Sequence, residues 1–195
     1  MATGSKILNG VHVLLGVSGG VAAYKAVDLA SKLAATGALV KTIMTQNACE
    51  FVLPKSFEAV TASPVFTSMW NGPEDFRIGH IDLATQADII VIAPATANII
   101  SKIANGICDD LLSTTMCACW DKPVVIAPAM NDKMWANPAV QKNLSTIKDM
   151  GFKIVGPEKG RLACGTEGLG RMSEAETILE ALKNYISQIK KDCSE

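Results

Sequence analysis

Mostly apolar runs alternate along the chain with stretches whose apolar residues recur every third or fourth position. The runs are residues 11–17 (VHVLLGV), 39–44 (LVKTIM), 87–93 (ADIIVIA), 123–127 (PVVIA) and 152–155 (FKIV). Short, β-branched-rich runs bounded by glycine or proline read as buried strands. Between them, 21–35 carries Ala26, Leu29, Ala30 and Leu33 on one helical stripe and closes before Gly37. The same period predicts a helix over 98–112 through Ile100, Ile103, Ala104, Ile107 and Leu111, and another over 138–150 through Val140, Leu144 and Ile147. A last helix opens on SEAE (173–176), the pattern of a capping box, and continues through Ile178, Leu179, Leu182, Ile186 and Ile189.

Near-continuous apolar strands alternating with amphipathic helices predict a parallel sheet covered on both faces. The expected fold is α/β: a three-layer, doubly wound parallel sheet, Rossmann-like or flavodoxin-like, in a single domain over residues 1–195. Such sheets bind ligands beyond the carboxyl ends of their strands. That rule directs attention to residues 18–20, 45–51, 94–98 and 128–135, each of which follows a predicted strand.

Composition narrows the function classes. A chain of 195 residues, 49% hydrophobic and 19% charged, is long enough to bury one core. A formal net charge of −1 makes no electrostatic case for nucleic acid or an anionic membrane surface. No apolar run approaches the roughly 20 residues that span a bilayer, and MATGSKILNG lacks a signal-peptide core, so a cytoplasmic protein is expected. Six cysteines (Cys49, Cys108, Cys117, Cys119, Cys164 and Cys193) are expected as free thiols. With no CxxC pair and two histidines, no metal site is expected. High apolar content with few aromatics hints at surface buried between subunits.

Four segments carry candidate chemistry. GVSGGVAAYK (16–25) is a glycine-bearing strand-to-helix turn whose N–H groups suit an anion such as phosphate, or simply a tight turn. It matches neither GxGxxG nor a P-loop. Thr45 and APATAN (93–98) add hydroxyls and an amide at further strand ends. No acidic residue ends the second strand, which argues against the ribose of NAD. His80 in RIGHIDLAT (77–85) could exchange protons near neutral pH or merely bond nearby backbone, whereas His12 inside a strand reads as packing. Cys164 lies in the glycine-rich GRLACGTEGLGRM (160–172), which reads as a mobile lid, while Cys117 and Cys119 read as packing and Cys193 as incidental. In PAMNDKMW (128–135), an amide among bulky apolar residues at a strand exit reads as a pocket wall.

Taken together, SGGVAAYK, GHIDLA (79–84), APATANIISKIANGICDDLL (93–112), APAMNDKMWANPAVQKN (127–143) and LACGTEGLGRM (162–172) resemble the flavin-dependent cysteine decarboxylases. Within them the likeness is to the phosphopantothenoylcysteine decarboxylases of coenzyme A biosynthesis. The match over 46–79 is partial. The resemblance implies FMN as cofactor, contacted by Ser18, Gly19, Gly20, Thr45, Phe51, Thr96, Ala97, Asn98, Ala129 and Met130. It implies His80 as active-site base, Asn131 as holder of the substrate carboxylate, Cys164 as proton donor and Met134 as part of the substrate cleft. It further implies 4′-phospho-N-pantothenoylcysteine as substrate, 4′-phosphopantetheine as product, thioaldehyde and enethiol intermediates, and a homo-oligomer, trimer or dodecamer. The alternatives are a peptidyl-cysteine decarboxylase, which has no need of the reducing cysteine, and a catalytically idle phosphatase-regulating relative.

Overall fold

The structure, a computed structural model, describes residues 7–70 and 79–192. Cys193, expected to be incidental, lies outside the described residues. Six parallel strands form one sheet: β1 (His12–Val17), β2 (Leu39–Met44), β3 (Val65–Phe66), β4 (Ile89–Ala95), β5 (Val124–Pro128) and β6 (Lys153–Ile154). Their spatial order is β3-β2-β1-β4-β5-β6, the order of dinucleotide-binding sheets. With the two-residue edge strand β3 set aside, the remaining five follow the flavodoxin order, so both expected labels describe one sheet. The chain reverses direction across the sheet between β1 and β4, and the crevice there is where ligands are expected.

The two-residue period of the strands divides the core. Val13, Leu15, Val17, Ile89, Val91 and Ala93 point to one face. There they meet α1 (Ala23–Ala35) through Ala26, Leu29 and Leu33, and α9 (Ala175–Asp192) through Ile178, Leu182 and Ile186. Phe57 of α3 (Pro54–Thr61) completes that layer. Leu14, Ile90, Ile92 and Ala95 point to the other face. They pack against α4 (Gly79–Gln86), α5 (Ala97–Asn105), α6 (Leu111–Ala118) and α8 (Pro138–Asp149). Among the described residues no helix is long and apolar enough to cross a membrane.

Three expectations are corrected. The helix predicted over 98–112 is two helices, because Gly106 takes a left-handed φ of 65° and ends α5. Asp110 then caps α6 by accepting from the Ser113 N–H at 2.8 Å, while the Ser113 hydroxyl accepts from the Asp110 N–H at 3.2 Å. Lys102 pins the turn by pairing with Asp109 at 2.6 Å and Asp110 at 2.7 Å. The SEAE stretch, where α9 begins, also docks that helix: Glu174 binds Lys25 of α1 at 2.9 Å and Glu176 binds Lys32 at 3.1 Å. The glycine-rich lid is an antiparallel hairpin, β7 (Glu158–Arg161) and β8 (Glu167–Arg171). Of the two cysteines read as packing, Cys119 is buried, with desolvation pushing its thiol up to about 12. Cys117 is exposed on α6.

Candidate active site

β1 runs into Ser18-Gly19-Gly20 before α1 begins. The buried Ser18 hydroxyl lies 2.7 Å from the Pro94 carbonyl, to which it donates, and accepts from the Thr96 N–H at 3.0 Å. It thereby fastens the end of β1 to the end of β4 at the switch point. A side chain at Gly19 would sit 2.3 Å from Cβ of Asn47, so glycine is required where α2 (Gln46–Cys49) crosses the turn. Thr45 caps α2 by accepting from the Ala48 N–H at 3.2 Å, and Thr96 caps α5 by accepting from the Ile99 N–H at 3.5 Å. All three hydroxyls singled out in the sequence therefore hold the rim together.

What the rim turns outward is largely backbone. The residue before α1, Ala22, makes no side-chain cap bond, and the first turn carries no acidic residue. Its uncapped N–H groups and the positive end of the helix dipole suit a phosphate. Ala97 and Asn98 open α5, with Asn98 exposed, and Phe51 stands 53% exposed beyond α2. The rim suits a phosphate-bearing ligand. Ser18→Ala would leave the Thr96 N–H without its acceptor, and should cost about 1–3 kcal/mol, read as an earlier midpoint in urea unfolding.

The second half of the site comes from the exit of β5. Asn131 caps α7 (Asp132–Trp135), its Oδ1 accepting from the Lys133 N–H at 2.9 Å. That bond fixes the amide, so Nδ2 points the other way and donates to Sγ of Cys164 at 3.3 Å. Cys164 reaches this position because the hairpin lies directly on the 128–132 loop. A Cβ at Gly170 would fall 2.1 Å from the Met130 carbonyl oxygen, and one at Gly168 would fall 2.7 Å from Cβ of Asp132. Met130 N–H donates to the Gly170 carbonyl at 2.9 Å. The GLG of the sequence is thus the contact surface of the hairpin. The hydroxyl and backbone of Thr166, with Oγ1 3.1 Å from Sγ, and then the Asn131 amide hold the Cys164 thiol below the ordinary thiol range. A cleft of about 590 Å³ opens here, lined by Val21, Ala22, Lys25, Met130, Asn131 and Cys164 among others.

The model of the Flavoprotein family matches residues 1–187. The chain belongs to that family. It is 47% identical over 182 residues to the coenzyme A biosynthesis bifunctional protein CoaBC of Bacillus subtilis, covering 93% of this chain and 45% of that one. Against the Escherichia coli protein of the same name it is 40% identical over 182 residues, with the same coverage. The chain therefore spans less than half the length of these curated relatives. Among solved structures, a mutant PPC decarboxylase complexed with pantothenoylaminoethenethiol superposes with a TM-score of 0.84 at 34% identity, covering 91% of this chain and 98% of that one. The FMN binding protein AtHal3 does so at 0.78 and 34%, covering 91% and 97%.

The other sequence-predicted residues of this Flavoprotein member fall elsewhere. His80 opens α4, which packs on α6 in the opposite layer, and it does not line the cleft. Met134 is 48% exposed on α7 and does not line it either. Trp135 packs against the second core, and its carbonyl accepts from the Gln141 amide. Sequence reasoning assigned no role to Lys25, Arg161 or Arg171, three cations that line the cleft. Their signal was present, one arginine on each side of LACGTEGLG, but pairing across a hairpin was needed to bring them together.

Proposed function

We propose that the chain is an FMN-dependent decarboxylase that converts 4′-phospho-N-pantothenoylcysteine to 4′-phosphopantetheine, a step of coenzyme A biosynthesis. The observation that carries this reading is the Asn131–Cys164 contact at 3.3 Å across two separate elements, inside a cleft beside the cofactor rim. The membership, the names of the CoaBC relatives and the enethiol bound by the PPC decarboxylase structure all support it. When bound, FMN supplies the two-electron oxidation and return that a cysteinyl carboxylate needs in order to leave as CO2. Ser18, Gly19, Gly20, Thr45, Phe51, Thr96, Ala97, Asn98, Ala129 and Met130 are the residues that would hold it. Asn131 Nδ2 donates to the substrate carboxylate, and Cys164 gives a proton to the substrate carbon left after CO2 departs. The thiol at Cys164 is what favours this substrate over a peptidyl cysteine. The free state of every described cysteine supports a cytoplasmic setting.

His80 enters as the base through a homo-oligomer, trimer or dodecamer, because within one chain it belongs to the layer facing away from the cleft. The exposed apolar side chains Val21, Tyr24, Phe51, Leu53, Trp70 and Trp120 support such an assembly. Two tests follow. Purified protein should carry flavin absorbance near one FMN per chain and release CO2 from phosphopantothenoylcysteine with the product mass of 4′-phosphopantetheine; a colourless protein that takes up no FMN contradicts the reading. His80→Asn and Cys164→Ser proteins, each unable to complete turnover, should regain product formation when refolded together, and no recovery in mixed oligomers would place both residues in one subunit's site.

A further inference from the structure

The cleft does not end at Cys164. It continues into a second cavity of about 420 Å³ lined by Tyr24, Lys25, Asp28, Arg161, Arg171 and Glu174. Tyr24, Lys25, Arg161 and Arg171 line both spaces, so the two are one channel. Charge in the second space is uneven, with three cations facing two carboxylates. Glu174 receives Lys25 at 2.9 Å and Arg171 as well, which together hold its carboxyl below the usual range. Asp28 is taken by Lys32. Arg161 sits on β7 opposite Glu167 of β8 and enters no ion pair among the described residues. It is the cation left over.

The geometry points to a phosphate-monoester subsite at this end of the channel, in which Arg161 is the free arm and Lys25 and Arg171 stand beside it, anchored by Glu174. The occupant is the phosphate of the substrate, and in this the inference rests on the function proposed above. That substrate carries a carboxylate at one end and a phosphate at the other. Asn131 marks the carboxylate end, and the cations stand on α1 and on the strands of the hairpin, where the cleft meets the second space. A guanidinium presents a planar fork that matches phosphate oxygens two at a time, which a neutral hydroxyl cannot answer. The FMN phosphate is the competing source of the same chemistry. It is disfavoured because none of the residues assigned to the cofactor lines the second space: Ala22, Ala129 and Met130 line only the first, and Ser18, Gly19, Gly20, Thr45 and Thr96 line neither.

Flavin-loaded protein titrated calorimetrically with 4′-phosphopantothenate and with pantothenate tests the assignment without turnover. The phosphorylated ligand should bind more tightly by about tenfold or more, and Arg161→Gln should close most of that gap. Arg161→Lys, which keeps the charge and loses the fork, should close it only in part, and FMN retention on dilution should not change in either variant. Equal affinity for the two ligands in the unmodified protein overturns the subsite, as does a gap that Arg161→Gln leaves intact. Loss of FMN on dilution parallel to loss of the gap would give the arginine to the cofactor instead. Failure of the decarboxylase reading would appear separately, as no CO2 from phosphopantothenoylcysteine.

Discussion

Asn131→Asp should fold as well as the parent and lose on the order of 100-fold or more in kcat/KM. The substitution separates the cap that the amide makes from the carboxylate binding proposed for it. As N-cap of α7, position 131 needs only an oxygen to accept from the Lys133 N–H, and aspartate caps a helix as well as asparagine. Stability by urea unfolding should therefore stay close to the parent value. The opposite end of the side chain changes completely. Nδ2, a donor aimed at Cys164 and the cleft, becomes an oxygen carrying negative charge. A hydrogen bond to a charged group is replaced by two carboxylates facing one another. In the single chain the cleft is open, so screening moderates the repulsion; a bound substrate or neighbouring subunit that excludes water would restore it. Asn131→Ala is the complement: it should lose activity and also the cap, about 1 kcal/mol of stability. An Asn131→Asp protein with normal kcat/KM would remove this residue from carboxylate binding, whatever its effect on stability.

The same residue illustrates what the sequence could and could not convey. The sheet was readable because strand and helix periods are local: Val13, Leu15 and Val17 alternate with Leu14, and Ala26, Leu29 and Leu33 fall on one stripe, in any context. The break in the helix expected over 98–112 was hidden because Ile107 and Leu111 keep the helical period across a turn that Gly106 and Asp110 create. What SEAE does beyond opening a helix was hidden, because Glu174 and Glu176 are claimed by Lys25 and Lys32, residues far away in sequence and therefore invisible to local pattern. At the site, PAMN announced a pocket wall, but the reason for an amide rather than any polar group needed both partners in place: the backbone N–H that holds one end and the Cys164 thiol that meets the other. Why GLG should accompany LACG likewise became physical only when the hairpin was laid against the Met130 carbonyl. His80 was raised by its imidazole, with its role as base taken from likeness, and Met134 by likeness; a single chain gives neither of them a place in the cleft.

Cys164→Ser should still release CO2 but yield the unreduced enethiol in place of 4′-phosphopantetheine, with the final product reduced by about 100- to 10,000-fold. Serine keeps the size and the contacts with Asn131 and Thr166, so the hairpin and the carboxylate end of the cleft remain intact. What it loses is acidity. The Cys164 thiol is a better acid than a free thiol because the Thr166 hydroxyl and backbone, and then the Asn131 amide, stabilise its thiolate. A serine hydroxyl in the same place gains the same partners but starts from a far weaker acid. The pH dependence gives a second, independent reading. In the role proposed for Cys164 the donor is the protonated thiol, so product formation should be complete at low pH and fall as pH rises through the thiol pKa. Because that pKa is lowered, the fall should come below the ordinary value of 9.0, while CO2 release does not share it. In the serine variant no group titrates in that window, and the residual product should lack the alkaline limb. Product mass resolved against CO2 over a pH series measures both. A serine variant that forms 4′-phosphopantetheine at the parental rate, or that retains the alkaline fall, would mean that another group delivers the proton and that the contact with Asn131 only positions the hairpin.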